Sequence, residues 1–239
     1  MGNSLLIYLN KRLNKETLST GRLEPPGPVI TISRETGCAA LPLAHALAHR
    51  LNQLNHSNHW RVLSKEILRE SARELNLDPE RISKTLKQSD RYTFEEILKA
   101  FGDKEYKSEK KIKKTVVEVI HSFAADGFCI IVGRAGNLIA SDIKNALHVR
   151  LTAPLEYRVK TIMHNNNLPR EEAIRFIRRV DEERMTFRKE VAGDSSKLEM
   201  FDITINRNEF TTEDIVDLIE LAVERKKILT DYRQKINFF

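Results

Sequence analysis

The residues best suited to chemistry in this chain are its arginines and one loop of small side chains. The loop reads Ser33-Arg34-Glu35-Thr36-Gly37-Cys38-Ala39-Ala40-Leu41-Pro42-Leu43. It stands between a β-branched run, Val29 to Ser33, and an amphipathic stretch, Leu41 to Leu54. A loop leading from a buried strand into a helix presents free backbone N–H groups, and small residues let it wrap around an anion. The pattern departs from Walker A, which places a second Gly, a Lys and then Ser or Thr where this chain has Ala39, Ala40 and Leu41 or Pro42. Arg134 follows Gly133 at the end of another apolar run, Phe128 to Val132. Asp181 and Arg184 are three apart and so share one face of a helix. Guanidinium groups stay charged and grip phosphate oxygens with a planar fork, so this set points to oxyanion chemistry.

Other reactive side chains offer less. His45 and His49 are four apart on the first helix, but no third ligand is spaced to complete a metal site, and we expect none. Cys38 stands at a helix start, where a thiol pKa is lowered, yet no base is near it in sequence. Two cysteines exclude a disulfide framework and favour a reducing cytoplasm.

The elements that must hold these residues follow from periodicity. Compact apolar runs at Val29–Ser33, Trp60–Leu63, Phe128–Val132, Leu147–Thr152 and Phe201–Ile205 alternate with helical patterning, which predicts a parallel sheet of about five strands covered by helices. About sixty residues separate Leu63 from Phe128, far more than one crossover needs. A helical insertion over residues 64–114 accounts for them, with the charged run Asp103 to Lys114 as the solvated face of the returning helix. Residues 169–192 read as one long helix with an apolar stripe and an arginine-dense opposite face, and 211–230 as the closing helix, opened by Thr211 and Thr212. Residues 1–27 form an N-terminal arm, amphipathic over 3–18, whose apolar face packs on the chain's own core or seals a homodimer.

The 239 residues carry a formal charge of +6, which draws anionic partners such as nucleotides, nucleic acid or membrane surfaces. No run is long enough to span a membrane and no export signal is read, so no membrane partner is expected. Nucleic acid is disfavoured, because aromatics are not interleaved with the basic runs and no recognised nucleic-acid motif is present.

The run Ile30-Thr31-Ile32-Ser33-Arg34-Glu35-Thr36-Gly37 resembles the opening of the cytidylate-kinase-like family. Ile131-Val132-Gly133-Arg134-Ala135-Gly136-Asn137, Leu147 to Leu155 with Arg158, Glu171-Glu172-Ala173 through Asp181-Glu182-Glu183-Arg184, and Phe201 to Asn206 follow in that family's order and approximate spacing. The resemblance covers about residues 29–225. It implies a three-layer α/β P-loop kinase-like domain over 28–239, a nucleoside-monophosphate-binding insertion at 64–114, and an arginine-bearing lid at 160–190. It further implies phosphoryl transfer from ATP, with Mg2+, to CMP or dCMP. On this resemblance Ser33, Arg34, Glu35, Gly37, Cys38, Ala39, Ala40 and Leu41 would cradle the donor phosphates. Gly133, Arg134, Arg158, Asp181 and Arg184 would bind the acceptor. Arg134, Arg184 and Arg179 are the catalytic candidates, with Arg175, Arg178 and Arg188 as further lid arginines. Members of the family carry more glycine after the position of Gly37. The competing readings are a nucleotide-binding protein without turnover, acting as a sensor or scaffold, and a basic nucleic-acid module.

Overall fold

The computed structural model describes residues 26–54, 58–64, 109–193 and 198–229. Five parallel strands form one sheet in the order β2-β3-β1-β4-β5: β1 Val29–Arg34, β2 Arg61–Leu63, β3 Cys129–Val132, β4 Ala146–Thr152 and β5 Ile203–Asn206. The helices are α1 Ala40–Leu54, α2 Glu109–Asp126, the short α3 Gly136–Ile139, α4 Leu155–Asn166, α5 Arg170–Ala192 and α6 Thr212–Lys226.

Parallel strands buried on both faces read as continuous apolar runs, and β1 shows why. Ile30 and Ile32 pack with Leu43, Leu47 and Leu51 of α1 and Ile215 and Ile219 of α6. Val29 joins the opposite layer, with Ile120 and Phe123 of α2, Ile139 of α3 and Phe187 of α5. This gives the three-layer α/β arrangement expected. A third apolar cluster, Val159, Ile162, Ala173 and Ile177, fixes α4 against α5.

Local chemistry sets the ends. Thr211 caps α6 reciprocally with Asp214, the box that satisfies two orphan N–H groups. The closing helix stops at Lys226, short of residue 230, because Lys227 turns left-handed at φ 58°. Three strands begin later than their apolar runs, β3 by one residue because Phe128 is left-handed at φ 47°. Trp60 is held outside β2 by Asn52, whose side chain takes its N–H and donates to its carbonyl. Phe201 precedes β5 because it is drawn under two arginines of the cleft. The long helix was anticipated; α3 was not, since a four-residue helix leaves no periodicity to read.

Residues 1–25 of the expected arm, with its amphipathic stretch and dimer role, and residues 65–108 of the expected insertion lie outside the described residues. Of the basic run, Lys114 faces solvent while Lys113 pairs with Glu190 of α5 at 2.9 Å. No described helix is long and apolar enough to cross a membrane.

Candidate functional site

A cleft of about 1030 Å³ opens at the carboxyl ends of the strands, where parallel α/β sheets bind ligands. The loop after β1 and the first turn of α1 form one wall, the turn after β3 the floor, and α5 the opposite wall. Arg134 and the amino end of α1 therefore line one shared space.

The loop is shaped by its backbone. Gly37 adopts φ 97°, and a Cβ there would stand 2.8 Å from both Cα and the carbonyl oxygen of Arg158, so only glycine lets the loop lie on α4. Ala39 is left-handed at φ 46° and delivers the chain into α1 at Ala40. Cys38 is fully buried, and its pKa is pushed up to about 11 by that burial, with Glu35 adding to it. The lowering expected from the helix start is overridden, and the thiol stays neutral.

The turn after β3 is unusual. Gly133, Arg134 and Ala135 have φ of 76°, 56° and 53°, three left-handed residues in succession, two of which are not glycine. Backbone of this kind costs about 1–3 kcal/mol per residue and gathers at functional sites. Here it lifts Arg134 into the cleft and leaves Gly133 bare, and Arg34 occupies the space a Gly133 side chain would need.

Three arginines from three elements thus converge: Arg34 from β1, Arg134 from the β3 turn and Arg184 from α5. All are half-buried. Burial lowers the Arg34 pKa well below the usual arginine range, and Arg184 and Arg134 depress it further by repulsion. Arg134 is brought down to about 9, first by burial and then by Arg184. Burial also lowers Arg184, against Asp181 and Glu183, which raise it. A positive field held in such a cavity favours an anion with several charges.

Asp181 ties the walls together. Its Oδ1 accepts from the Thr36 amide at 2.9 Å and the Thr36 hydroxyl at 2.7 Å, and its Oδ2 accepts from Arg158 Nη1 at 2.7 Å. Arg184 Nη1 donates to Thr36 Oγ1 at 2.9 Å, and Arg158 Nε donates to the Ala153 carbonyl. Glu35 Oε2 accepts from the Ala153 amide at 3.0 Å, so the loop is also pinned to the end of β4.

Ser33, Arg34, Glu35, Gly37, Cys38, Ala39, Ala40, Leu41, Gly133, Arg134, Asp181 and Arg184 all line the cleft. Arg158 reaches it through Asp181 and Glu35. Arg179 is not among the lining residues; it lies exposed, stacked on Phe176 and near Glu183. Arg175 and Arg178 are exposed as well, whereas Arg188 is buried and lines the cleft. His45 and His49 are exposed, and no group of three potential metal ligands occurs among the described residues.

Two participants escaped sequence reasoning. Thr36 is 4% exposed and is the hub of the loop's hydrogen bonds. Arg150 lines the cleft from β4, and the available signal was a lone cation inside the apolar run Leu147 to Thr152.

A sequence model of the cytidylate kinase-like family matches residues 29–209. A cytidylate kinase of Methanocaldococcus jannaschii is 24% identical over 202 residues, covering 83% of this chain and 99% of that protein. A cytidylate kinase of Sulfolobus acidocaldarius is 25% identical over 163 residues, covering 68% and 79%. Among solved structures, an uncharacterized protein from Eubacterium ventriosum superposes with a TM-score of 0.56 at 21% identity, over 82% of this chain and 98% of that one. With a family match spanning the loop, the Gly133-Arg134 turn and α5, the chain belongs to the cytidylate kinase-like family.

Proposed function

We propose that the cleft binds a nucleoside monophosphate and transfers to it the terminal phosphoryl group of ATP, with CMP or dCMP the preferred acceptor. The observation that carries this reading is the convergence of Arg34, Arg134 and Arg184, half-buried cations whose mutual repulsion a phosphate relieves. The relatives named as cytidylate kinases support the choice of acceptor.

Phosphoryl transfer asks for alignment and charge neutralisation rather than covalent chemistry. The loop amides and the first turn of α1 would hold the ATP phosphates, as helix amino ends do. Small Ala39 and Ala40 keep that wall open, while Pro42 contributes no N–H. The Thr36 hydroxyl is already committed to Asp181 and Arg184, so Mg2+ would be held mainly by phosphate oxygens and water. Arg134 and Arg184 would orient the acceptor phosphate, and Arg34 would supply the charge that Walker A loops take from lysine. Gly133 serves by leaving room for Arg34. Asp181 and Arg158 act as positioning residues, since Asp181 spends both oxygens on the loop and on α4.

A second reading, nucleotide binding without turnover, is favoured by one observation: no lysine lines the described cleft. One assay separates the two. Purified protein is mixed with ATP, Mg2+ and a panel of nucleoside monophosphates, and diphosphate product is followed. CDP formation lost by about a hundred- to a thousand-fold in Arg134→Ala supports the kinase. CMP binding that depends on Arg134 without any diphosphate product supports the second reading and overturns the first.

A further inference from the structure

Among the described charged residues of the cleft, Arg188 is the most enclosed, with a side chain 8% exposed. Among the described residues, neither its Nε nor its Nη2 has a hydrogen-bond partner. Those two N–H groups form the side edge of the guanidinium, the parallel donors with which arginine takes two oxygens of a carboxylate or phosphate. Leaving both unmet away from water is unfavourable, and buried polar groups are nearly always satisfied.

The rest of the guanidinium is already placed. Nη1 stands 3.7 Å from Glu199, and Cζ lies 5.2 Å from the centroid of Phe201. Arg150 of β4 makes the same two approaches, at 3.7 Å and 5.4 Å. Two cations therefore share one aromatic ring and one carboxylate, and Glu199 is 63% exposed, so the balance stays positive. Burial lowers the Arg188 pKa, and Arg150 lowers it further against Glu199. Both arginines line the same cleft as the first cluster, and Arg188 stands one turn beyond Arg184, about 6 Å along the helix axis.

We propose that Arg188, set against Phe201 and accompanied by Arg150, is a second oxyanion subsite, taking two oxygens of a carboxylate or phosphate on Nε and Nη2. The proposal rests on reading the cleft as a phosphate-ester site and adds that it holds two anionic groups at once. Apart from the donor phosphates at the loop and Arg34, one sits on Arg134 and Arg184, the other on Arg188. Substrates that fit carry a second acidic group beyond the acceptor phosphate, or bind as a pair.

The full chain, labelled with 15N, is titrated with inorganic phosphate and separately with acetate, by calorimetry and by the arginine Nε–H resonances. Beside the donor loop, two arginine-dependent phosphate sites per chain are expected. Arg188→Lys keeps the charge but removes the fork, and should weaken one site about tenfold or more while sparing the other. Arg184→Ala should weaken the other. The Arg188 Nε–H resonance, assigned by its absence from Arg188→Lys, should shift as its site fills. A shift with phosphate marks an ester as the occupant, and a shift with acetate alone marks a carboxylate. A shift with neither, or a single phosphate site unaffected by Arg188→Lys, overturns the proposal. Because a buried change can impair folding, the exposed Glu199→Gln provides a second variant. Removing the neighbouring carboxylate should tighten the same site severalfold, and unchanged affinity there would count against the subsite. Both arginine-dependent sites intact without turnover sink the kinase reading alone, whereas turnover with no site that depends on Arg188 sinks this proposal alone.

Discussion

At Gly133 the backbone turns left-handed at φ 76°, and Arg34 crosses the space a Cβ would fill. Gly133→Ala would displace a flexible side-chain tip and impose a left-handed alanine, at about 1–2 kcal/mol. CMP affinity should then fall about tenfold or more while the protein still folds, as calorimetry and thermal unfolding would together show. Arg134 sets a pH limit on the same site. Its pKa of about 9 means the cation is lost as pH rises through that value, so CMP affinity should be level from pH 7 to 8 and decline above about 9. Affinity unchanged at pH 10 would show that Arg134 keeps its proton there when the phosphate is bound. The buried thiols give a check on the packing around the loop. Cys38 and Cys129 have pKa values raised by burial to about 11 and about 12. Neither should react with a thiol reagent at pH 8 in the folded protein, and both should react once it is unfolded. At this scale the sequence disclosed residue type and order but not enclosure. Spacing put Asp181 and Arg184 on one helix face and the resemblance nominated both with Arg34, while the part of Thr36 depends on a carboxylate 145 positions away.

Helix α5 gathers much of the cleft on one stripe: Asp181, Arg184 and Arg188 fall at spacings of three and four. That stripe explains why arginines of one helix differ in fate, since Arg175, Arg178 and Arg179 project from its exposed side. The sequence marked the helix and its charge, but which arginines meet the cleft depended on the buried face of Ala173, Ile177 and Val180, which Arg184 and Arg188 continue at spacings of three and four. Asp181→Asn keeps the shape and loses the charge that holds Thr36 and Arg158. Hydrogen exchange at the Thr36 amide should accelerate, with the strands of the sheet unaffected. Strand β4 carries a different titration. His148 hydrogen-bonds Thr31 at 2.9 Å, and burial lowers its pKa. A histidine whose folded pKa lies below its unfolded value contributes stability that is present above the unfolded pKa, about 6.5, and lost as pH falls below it. Thermal stability should therefore drop between pH 7 and 5, and His148→Gln should flatten that slope.

For the molecule as a whole, the strand order β2-β3-β1-β4-β5 places the loop-bearing strand at the centre, flanked by the strands that deliver Arg134 and Arg150. Alternating apolar runs made the five strands and the parallel sheet legible, because strands buried on both faces leave no other pattern. The sequence did not disclose how the two helical layers would lie, nor that Phe201 would leave its strand. The layer of α1 and α6 should dominate stability. Leu47 is fully buried there, and Leu47→Ala should cost about 2–5 kcal/mol in urea unfolding, without altering the phosphate contacts. One carboxylate, that of Asp181, joins segments far apart along the chain: the turn at Thr36, Arg158 of α4, and α5 itself. Chimeras between relatives inherit this dependence, so a graft of the amino-terminal third has to travel with its own 155–192 segment, and a mismatched exchange should leave a folded sheet with a slack mouth.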